Sequence, residues 1–167
     1  MKNILFICKH NVFRSKVAEA YFKKINKNKQ INADGAGLIK TDFLSETEKK
    51  LVKFQRKIAK QYGIIIKQSS KPLSIKLLKK QDIIIIVAND VPKEIFNNKF
   101  YLKPNLKLIT WEIKDVEKGK NNKEIIKTTI PKIMKKVERL IKKLEKEKWK
   151  QLRDLMIIQE KKLRKEQ

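Results

Sequence analysis

With 167 residues, the chain is long enough to bury one substantial core and short for two domains. A hydrophobic share of 41% excludes global disorder despite 37% charged residues, and no apolar run approaches bilayer length. The formal charge of +25 favours anionic partners, but the lysines are spread along the chain rather than clustered, so charge alone names none.

Met1-Lys2-Asn3 followed by Ile4 to Ile7 is too short for a signal-peptide core, and the chain reads as cytoplasmic. Lys2 to Ile7 is too continuously apolar for a one-sided strand and predicts a buried one. Ser15 to Asn28 carries Val17, Ala20, Tyr21 and Ile25 at helical spacing. Ile31 to Gly37 reads as a short strand ending in a tight turn at Asp34-Gly35-Ala36-Gly37. Ser45-Glu46-Thr47-Glu48 has capping-box spacing and opens a helix with Leu51, Phe54, Ile58 and Tyr62 on one face and Gly63 as its stop.

Ile64 to Ile66 reads as a short strand or extended segment, Ser69 to Pro72 as a turn and Ser74 to Lys80 as a short helix. Asp82 to Ala88 holds the run Ile83-Ile84-Ile85-Ile86-Val87, the clearest central parallel strand. Pro92 suits the first turn of a short helix reaching about Asn97. Leu106 to Trp111 predicts the last strand, followed by a polar loop, Glu112 to Asn122. Beyond Asn122 the pattern is helical almost to the end, with a break or kink expected near Ile130 because Pro131 follows. Strands alternating with helices predict a parallel α/β sheet with helices on both faces, whose strand carboxyl ends hold the ligand crevice.

The chemistry concentrates in Cys8-Lys9-His10-Asn11-Val12-Phe13-Arg14-Ser15, between the first strand and the first helix. First-turn N–H groups lack intrahelical partners and bind anions. A thiol at one end of such a loop supplies a nucleophile, and a guanidinium at the other a bidentate oxyanion clamp. A free thiol is mostly protonated at neutral pH, and the helix N-terminus, the loop amides, Arg14 and the Ser15 hydroxyl would all stabilise its thiolate. Cys8 is the single cysteine, so no intramolecular disulfide and no cysteine-based metal cluster can form. On local sequence alone, Ser15 reads equally as a helix N-cap.

The segment F-I-C-K-H-N-V-F-R-S-K-V-A-E-A-Y-F resembles the low-molecular-weight protein tyrosine phosphatases and their thioredoxin-coupled arsenate reductase relatives, which carry C-x5-R-S after the first strand. Asp34-Gly35-Ala36-Gly37 is similar to their D-S-A-G, Ser70 to Leu73 to S-K-P-L, Asp82 to Ile85 to the A-D-hydrophobic strand, and Trp111 to Asp115 to W-x-x-x-D. The likeness covers roughly residues 1 to 144 and leaves 145–167 as a basic helical extension. It implies a three-layer αβα fold with a four-stranded parallel sheet of flavodoxin-like order 2-1-3-4 and a long C-terminal helix.

What the resemblance implies is a phosphatase that hydrolyses phosphate monoesters, protein phosphotyrosine in particular, through a phosphocysteine on Cys8. Lys9, His10, Asn11, Val12, Phe13, Arg14 and Ser15 would form the phosphate cradle, with Ser15 donating to the Cys8 sulfur. Asp115 would serve as acid and then base, Glu112 and Glu117 being nearby alternatives. No metal or other cofactor is implied, and phosphate and arsenate would act as competitive anions. His10 lines the loop, Asn11 braces it in a left-handed conformation, and Lys16 reads as a solvated cation.

Val116 stands where the family has Pro after the acid, Lys16 where Pro is common, and no Tyr follows Asp115 to select phosphotyrosine. Trp111 and Phe43 could line the mouth but read better as core or hinge packing. An arsenate reductase would here need an external thiol in place of a cysteine relay, and a basic, weakly catalytic anion- or nucleic-acid-binding module is the remaining alternative. Trp149, Leu152, Leu155, Met156 and Leu163 recur at helical spacing in 145–167, marking either a solvated helix or a docking or self-association surface.

Overall fold

The computed structural model describes residues 1–66, 69–97, 102–116 and 122–163, except for the side chains of 43, 151 and 159–163. In chain order the regular elements are β1 (Lys2–Cys8), α1 (Arg14–Ile25), β2 (Ile31–Gly37), α2 (Glu46–Gln61), α3 (Ile75–Leu78), β3 (Ile83–Ile86), β4 (Lys107–Thr110) and α4 (Asn122–Leu163). Thr41–Phe43 and Lys93–Phe96 form short 3-10 turns, the second with Pro92 as its N-cap. The sheet is parallel throughout, in the order β2-β1-β3-β4, the α/β arrangement that the sequence predicts.

The apolar run of β1 splits by alternation. Ile4 and Phe6 enter one core layer with α1 and α4, while Leu5, Ile7 and Cys8 enter the other with Leu78, Val91 and Phe96. The four isoleucines of β3 divide the same way and are fully buried, as a strand covered on both faces must be. Because β1 has β2 on one side and β3 on the other, the chain reverses its winding direction at β1, which opens a crevice beyond Cys8.

Several elements depart from their sequence expectation. The Asp34 to Gly37 stretch is not a turn but the end of β2, paired from Leu5↔Asp34 to Cys8↔Gly37. Its glycine serves close approach: a Cβ on Gly37 would lie 2.6 Å from the His10 carbonyl carbon and 2.8 Å from the Asn11 nitrogen. Lys71 to Leu73 is not a turn either, since its backbone brackets Gly37 in an isolated parallel bridge. Ile64 is buried without forming a strand. α1 ends at Ile25, three residues early, because Asn26 turns its side chain onto the Asn28 and Ile31 carbonyls.

α2 starts with the expected capping box: Ser45 Oγ accepts from the Glu48 N–H and Glu48 reaches back to the Ser45 N–H. Gly63 follows it at φ 68, a conformation suited to glycine. α4 continues through Pro131 without a break near Ile130. Pro131 cannot donate to the carbonyl four residues earlier, that of Lys127, and the Tyr62 hydroxyl donates to this oxygen instead at 3.0 Å. Replacement Tyr62→Phe should therefore cost about 0.5–1.5 kcal/mol in urea unfolding.

Candidate active site

The Cys8–Ser15 loop leaves the carboxyl end of β1 and turns directly into α1. Its backbone is anchored from below, with Leu38 N–H donating to the Cys8 carbonyl at 3.3 Å and Ile39 N–H to that of Lys9 at 2.9 Å. Asn11 takes φ 51, the left-handed conformation expected of it, and lets the chain wrap over Gly37. The helix begins one residue early, at Arg14 with Phe13 as an N-cap that offers no side-chain bond, so Ser15 lies in the first turn and is not the cap.

Ser15 instead faces the thiol. Its Oγ is 3.0 Å from Cys8 Sγ, and both groups are buried. The direction of this bond follows from its neighbours. Lys71 N–H donates to Asn11 Oδ1 at 2.9 Å, which fixes the amide orientation and turns Nδ2 onto Ser15 Oγ at 2.8 Å. With that lone pair occupied, the hydroxyl hydrogen of Ser15 is available for the sulfur. Lys71, distant in sequence, thus acts through Asn11 and Ser15 to direct a donor at Cys8.

Arg14 closes the other end of the cradle with only 3% of its side chain exposed. Its two terminal nitrogens grip Asp90 as a fork, at 2.8 and 3.2 Å, while Nη1 also donates to the Ile113 carbonyl at 3.1 Å. Nη2 donates to Asp115 Oδ2 at 2.8 Å across 101 positions of sequence. Burial disfavours the guanidinium charge, but the Asp90 hydrogen bond and the charges of Asp115, Cys8 and Asp90 outweigh it, so its pKa moves up. Burial likewise opposes ionisation of Asp90, yet the Arg14 hydrogen bond and charge prevail and hold its carboxyl below the ordinary aspartate value. The other Asp115 oxygen accepts from the N–H of Val116 at 2.9 Å, a donor that proline would lack.

The sequence reading missed Asp90. It follows the isoleucine strand in Ala88-Asn89-Asp90-Val91-Pro92, at a strand carboxyl end where crevice residues gather, and that position was the available signal. Lys16 is corrected outright: its side chain is 2% exposed, and its ammonium lies 3.2 Å from the buried Glu19. Glu19 also takes Lys23 at 2.6 Å, so one buried carboxylate bridges two cations, of which Lys23 is partly solvated. Gly35 leaves room for this group, since a Cβ there would come within 2.6 Å of Glu19 Oε2 and 2.8 Å of Asn11 Nδ2.

Val12 and Phe13 turn inward, Phe13 into the main core, so this pair can offer the ligand little beyond its main chain. His10 lines the loop beside Lys9; burial and the Lys9 charge lower its pKa more than Asp115, Glu48 and Asp90 raise it. Glu112 borders a cavity of about 430 Å³ that Asp115, Thr129 and Lys132 also line, but Arg14 engages Asp115 and not Glu112. Trp111 is buried on Phe6, with ring centroids 5.8 Å apart, and belongs to the core rather than the mouth. Glu117 and the Phe43 side chain lie outside the described residues. Among the described residues no cluster of His, Cys, Asp or Glu is placed to hold a metal ion. A larger cavity, about 730 Å³, flanks β2 and shares no residue with the loop.

A family model described as low molecular weight phosphotyrosine protein phosphatase matches residues 3–151. Similar solved structures include a protein tyrosine phosphatase from Entamoeba histolytica, 24% identical over 87% of this chain and 97% of that one, with a TM-score of 0.67. The YwlE arginine phosphatase from Geobacillus stearothermophilus is 18% identical over 90% of this chain and 97% of its own, also at 0.67. An arsenate reductase from Archaeoglobus fulgidus is 22% identical over 83% and 98%, at 0.55. At such identities these likenesses establish the fold alone. The curated protein sequences yield no significant match.

Because Arg14 holds the Asp90 carboxyl below its unfolded value, native Asp90 binds fewer protons than unfolded Asp90 over that interval. Its contribution to stability is then present above the unfolded pKa, about 3.9, and is lost as pH falls through the folded one. In urea titrations, Asp90→Asn should be less stable than the parent at pH 7, and the gap should shrink as pH drops below about 4.

Proposed function

Since the chain belongs to the low molecular weight phosphotyrosine protein phosphatase family, we propose that it hydrolyses phosphate monoesters, with protein phosphotyrosine as substrate, through a phosphocysteine on Cys8. The observation that carries this reading is the 2.8 Å contact by which Arg14, at the end of the loop that starts at the thiol, meets Asp115 from the loop after the edge strand β4. A nucleophile, an oxyanion clamp and a proton carrier then share one crevice.

In this reading the phosphoryl oxygens enter the cradle of loop N–H groups between Lys9 and Ser15 and take Arg14 Nη2 from Asp115. Asp90 and the Ile113 carbonyl keep the guanidinium in place during the exchange. The Cys8 thiolate attacks phosphorus; the S–P bond forms, the P–O ester bond breaks, and protonated Asp115 gives its proton to the leaving oxygen. The carboxylate so formed deprotonates a water, which attacks the phosphocysteine and releases phosphate. Ser15 O–H stabilises the departing thiolate, and Asp115 ends protonated, ready for the next turnover.

Cysteine count separates this reading from arsenate reduction. A relay inside the chain would need a second thiol, and Cys8 is alone. Phosphate and arsenate are then expected to be competitive inhibitors, with no reduction of arsenate unless an external thiol is supplied.

Aryl-phosphate hydrolysis tests the scheme. Cys8→Ser should abolish turnover, and Asp115→Asn should lower kcat by about 10²–10⁴-fold while phosphate still binds. Full activity in the Asn variant would move the acid elsewhere. Phosphotyrosine and phosphoarginine peptides compared at equal concentration report the substrate class, and preference for the arginine peptide would reject phosphotyrosine.

A further inference from the structure

We propose that the part of α4 beyond Leu144 is an interfacial helix that docks the protein on an anionic phospholipid surface. Up to that point α4 is a core element, with Ile126, Ile130, Ile133, Val137, Leu140 and Leu144 buried in the main layer. Past it the apolar side chains continue while the domain does not. Trp149 is 71% exposed, Leu155 61% and Met156 63%, with Leu152 and Ile158 exposed as well.

These five fall on one arc of the helix. At roughly 100° per residue, Leu155 and Ile158 prolong the stripe of Leu140 and Leu144, and Trp149, Leu152 and Met156 widen it on one side. Lys146, Lys150, Arg153 and Asp154 occupy the remaining arc, with Ile157 among them, while Lys148 sits on the apolar side just before Trp149. Glu147 points its charge inward, to Lys107 at 3.1 Å and Lys2 at 3.7 Å, which leaves the outer arc more basic than its composition suggests. From Trp149 onward, exposed apolar side chains on one half of a helix whose other half is mainly basic mark a contact surface, and an exposed Trp among aliphatics on a basic amphipathic helix suits the headgroup boundary. No helix among the described residues is long and apolar enough to cross a bilayer, so the segment lies on a surface.

Charge decides between a lipid and a second copy. Each copy carries +25, and Lys148, Lys2 and Lys107 crowd the base of the sheet near the start of the overhang, so pairing two such ends brings like charges together. An anionic bilayer supplies the opposite sign over the same area. The placement also fits: Leu144 and Lys148 share a cavity with Met1, Lys2, Ile31, Ile83 and Lys107, the amino ends of all four strands, whereas the Cys8 loop lies at the carboxyl end. Docking by this end leaves the crevice facing water.

Co-sedimentation of the full chain with vesicles of phosphatidylglycerol and phosphatidylcholine, against phosphatidylcholine alone, tests this. Binding is expected only with the anionic vesicles, together with a blue shift of Trp149 emission above the constant signal of buried Trp111. The double variant Leu152→Gln with Met156→Gln keeps the net charge and should bind about tenfold or more weakly. Circular dichroism checks that both proteins are equally folded. Equal binding by the variant would reduce the effect to bulk charge and overturn the proposal, as would absence of binding by the parent. A vesicle-free dimer that the variant dissolves would assign the face to a second copy and overturn it too.

Discussion

A guanidinium buried to the extent of Arg14 needs partners, because an unpaired charge in a protein interior is far more costly than the fold can offset. Its three partners come from two places: Asp90 after β3, and Asp115 and the Ile113 carbonyl after β4. The geometry of the crevice follows from that need. The loops after β3 and β4 are drawn to the one after β1, and the order β2-β1-β3-β4 puts those strands side by side. The two carboxylates are not equivalent. Asp90 forks onto both terminal nitrogens, whereas Asp115 holds one and is the more solvated, so Asp115 is the more loosely held of the two.

The thiol end of the loop depends on close backbone approach. Gly37 admits the chain at His10 and Asn11, and Lys71, pinned beside Gly37 through a bridge, fixes the Asn11 amide. One strand end thus sets the direction of a hydrogen bond to Cys8 two residues of contact away. The buried Glu19 with Lys16 and Lys23 fills the space under this arrangement. A buried ion pair is weak evidence of stability, but its removal on one side strands a charge, so the trio constrains which residues can follow Arg14-Ser15.

Legibility from the sequence follows the range of the interactions involved. β1, β3 and their burial were readable because alternation and continuous isoleucine report a strand covered on both faces. Cys8, Arg14 and Ser15 were readable because the cradle is one contiguous segment. Asp90 was not, since an Asp before Val91-Pro92 looks like any turn residue until β3 and β1 are adjacent. Gly35 and Gly37 were misread as a turn because sequence does not separate glycine needed for a positive φ from glycine needed for space. Lys16 was misread as solvated because its partner Glu19, on the same helix, is itself buried against Gly35 of β2. Pro131 suggested a break or kink; the helix continues, and the Lys127 carbonyl that proline leaves without its usual donor takes the hydroxyl of Tyr62, the C-cap of α2.

α4 joins the two ends of the molecule through one continuous secondary structure. It starts beside the Asp115 loop, whose cavity it lines with Ile125, Thr128, Thr129 and Lys132, and reaches the amino ends of the strands by Leu144. In a parallel sheet all carboxyl ends lie together, so a helix antiparallel to the strands must carry its own C-terminus away from the crevice. The Cys8 loop and the exposed Trp149 are therefore separated by strand direction itself. Lengthening this helix enlarges the surface at the base without narrowing the mouth. That is why an apolar stripe costly to expose in water can be carried there without obstructing Arg14 or Asp115.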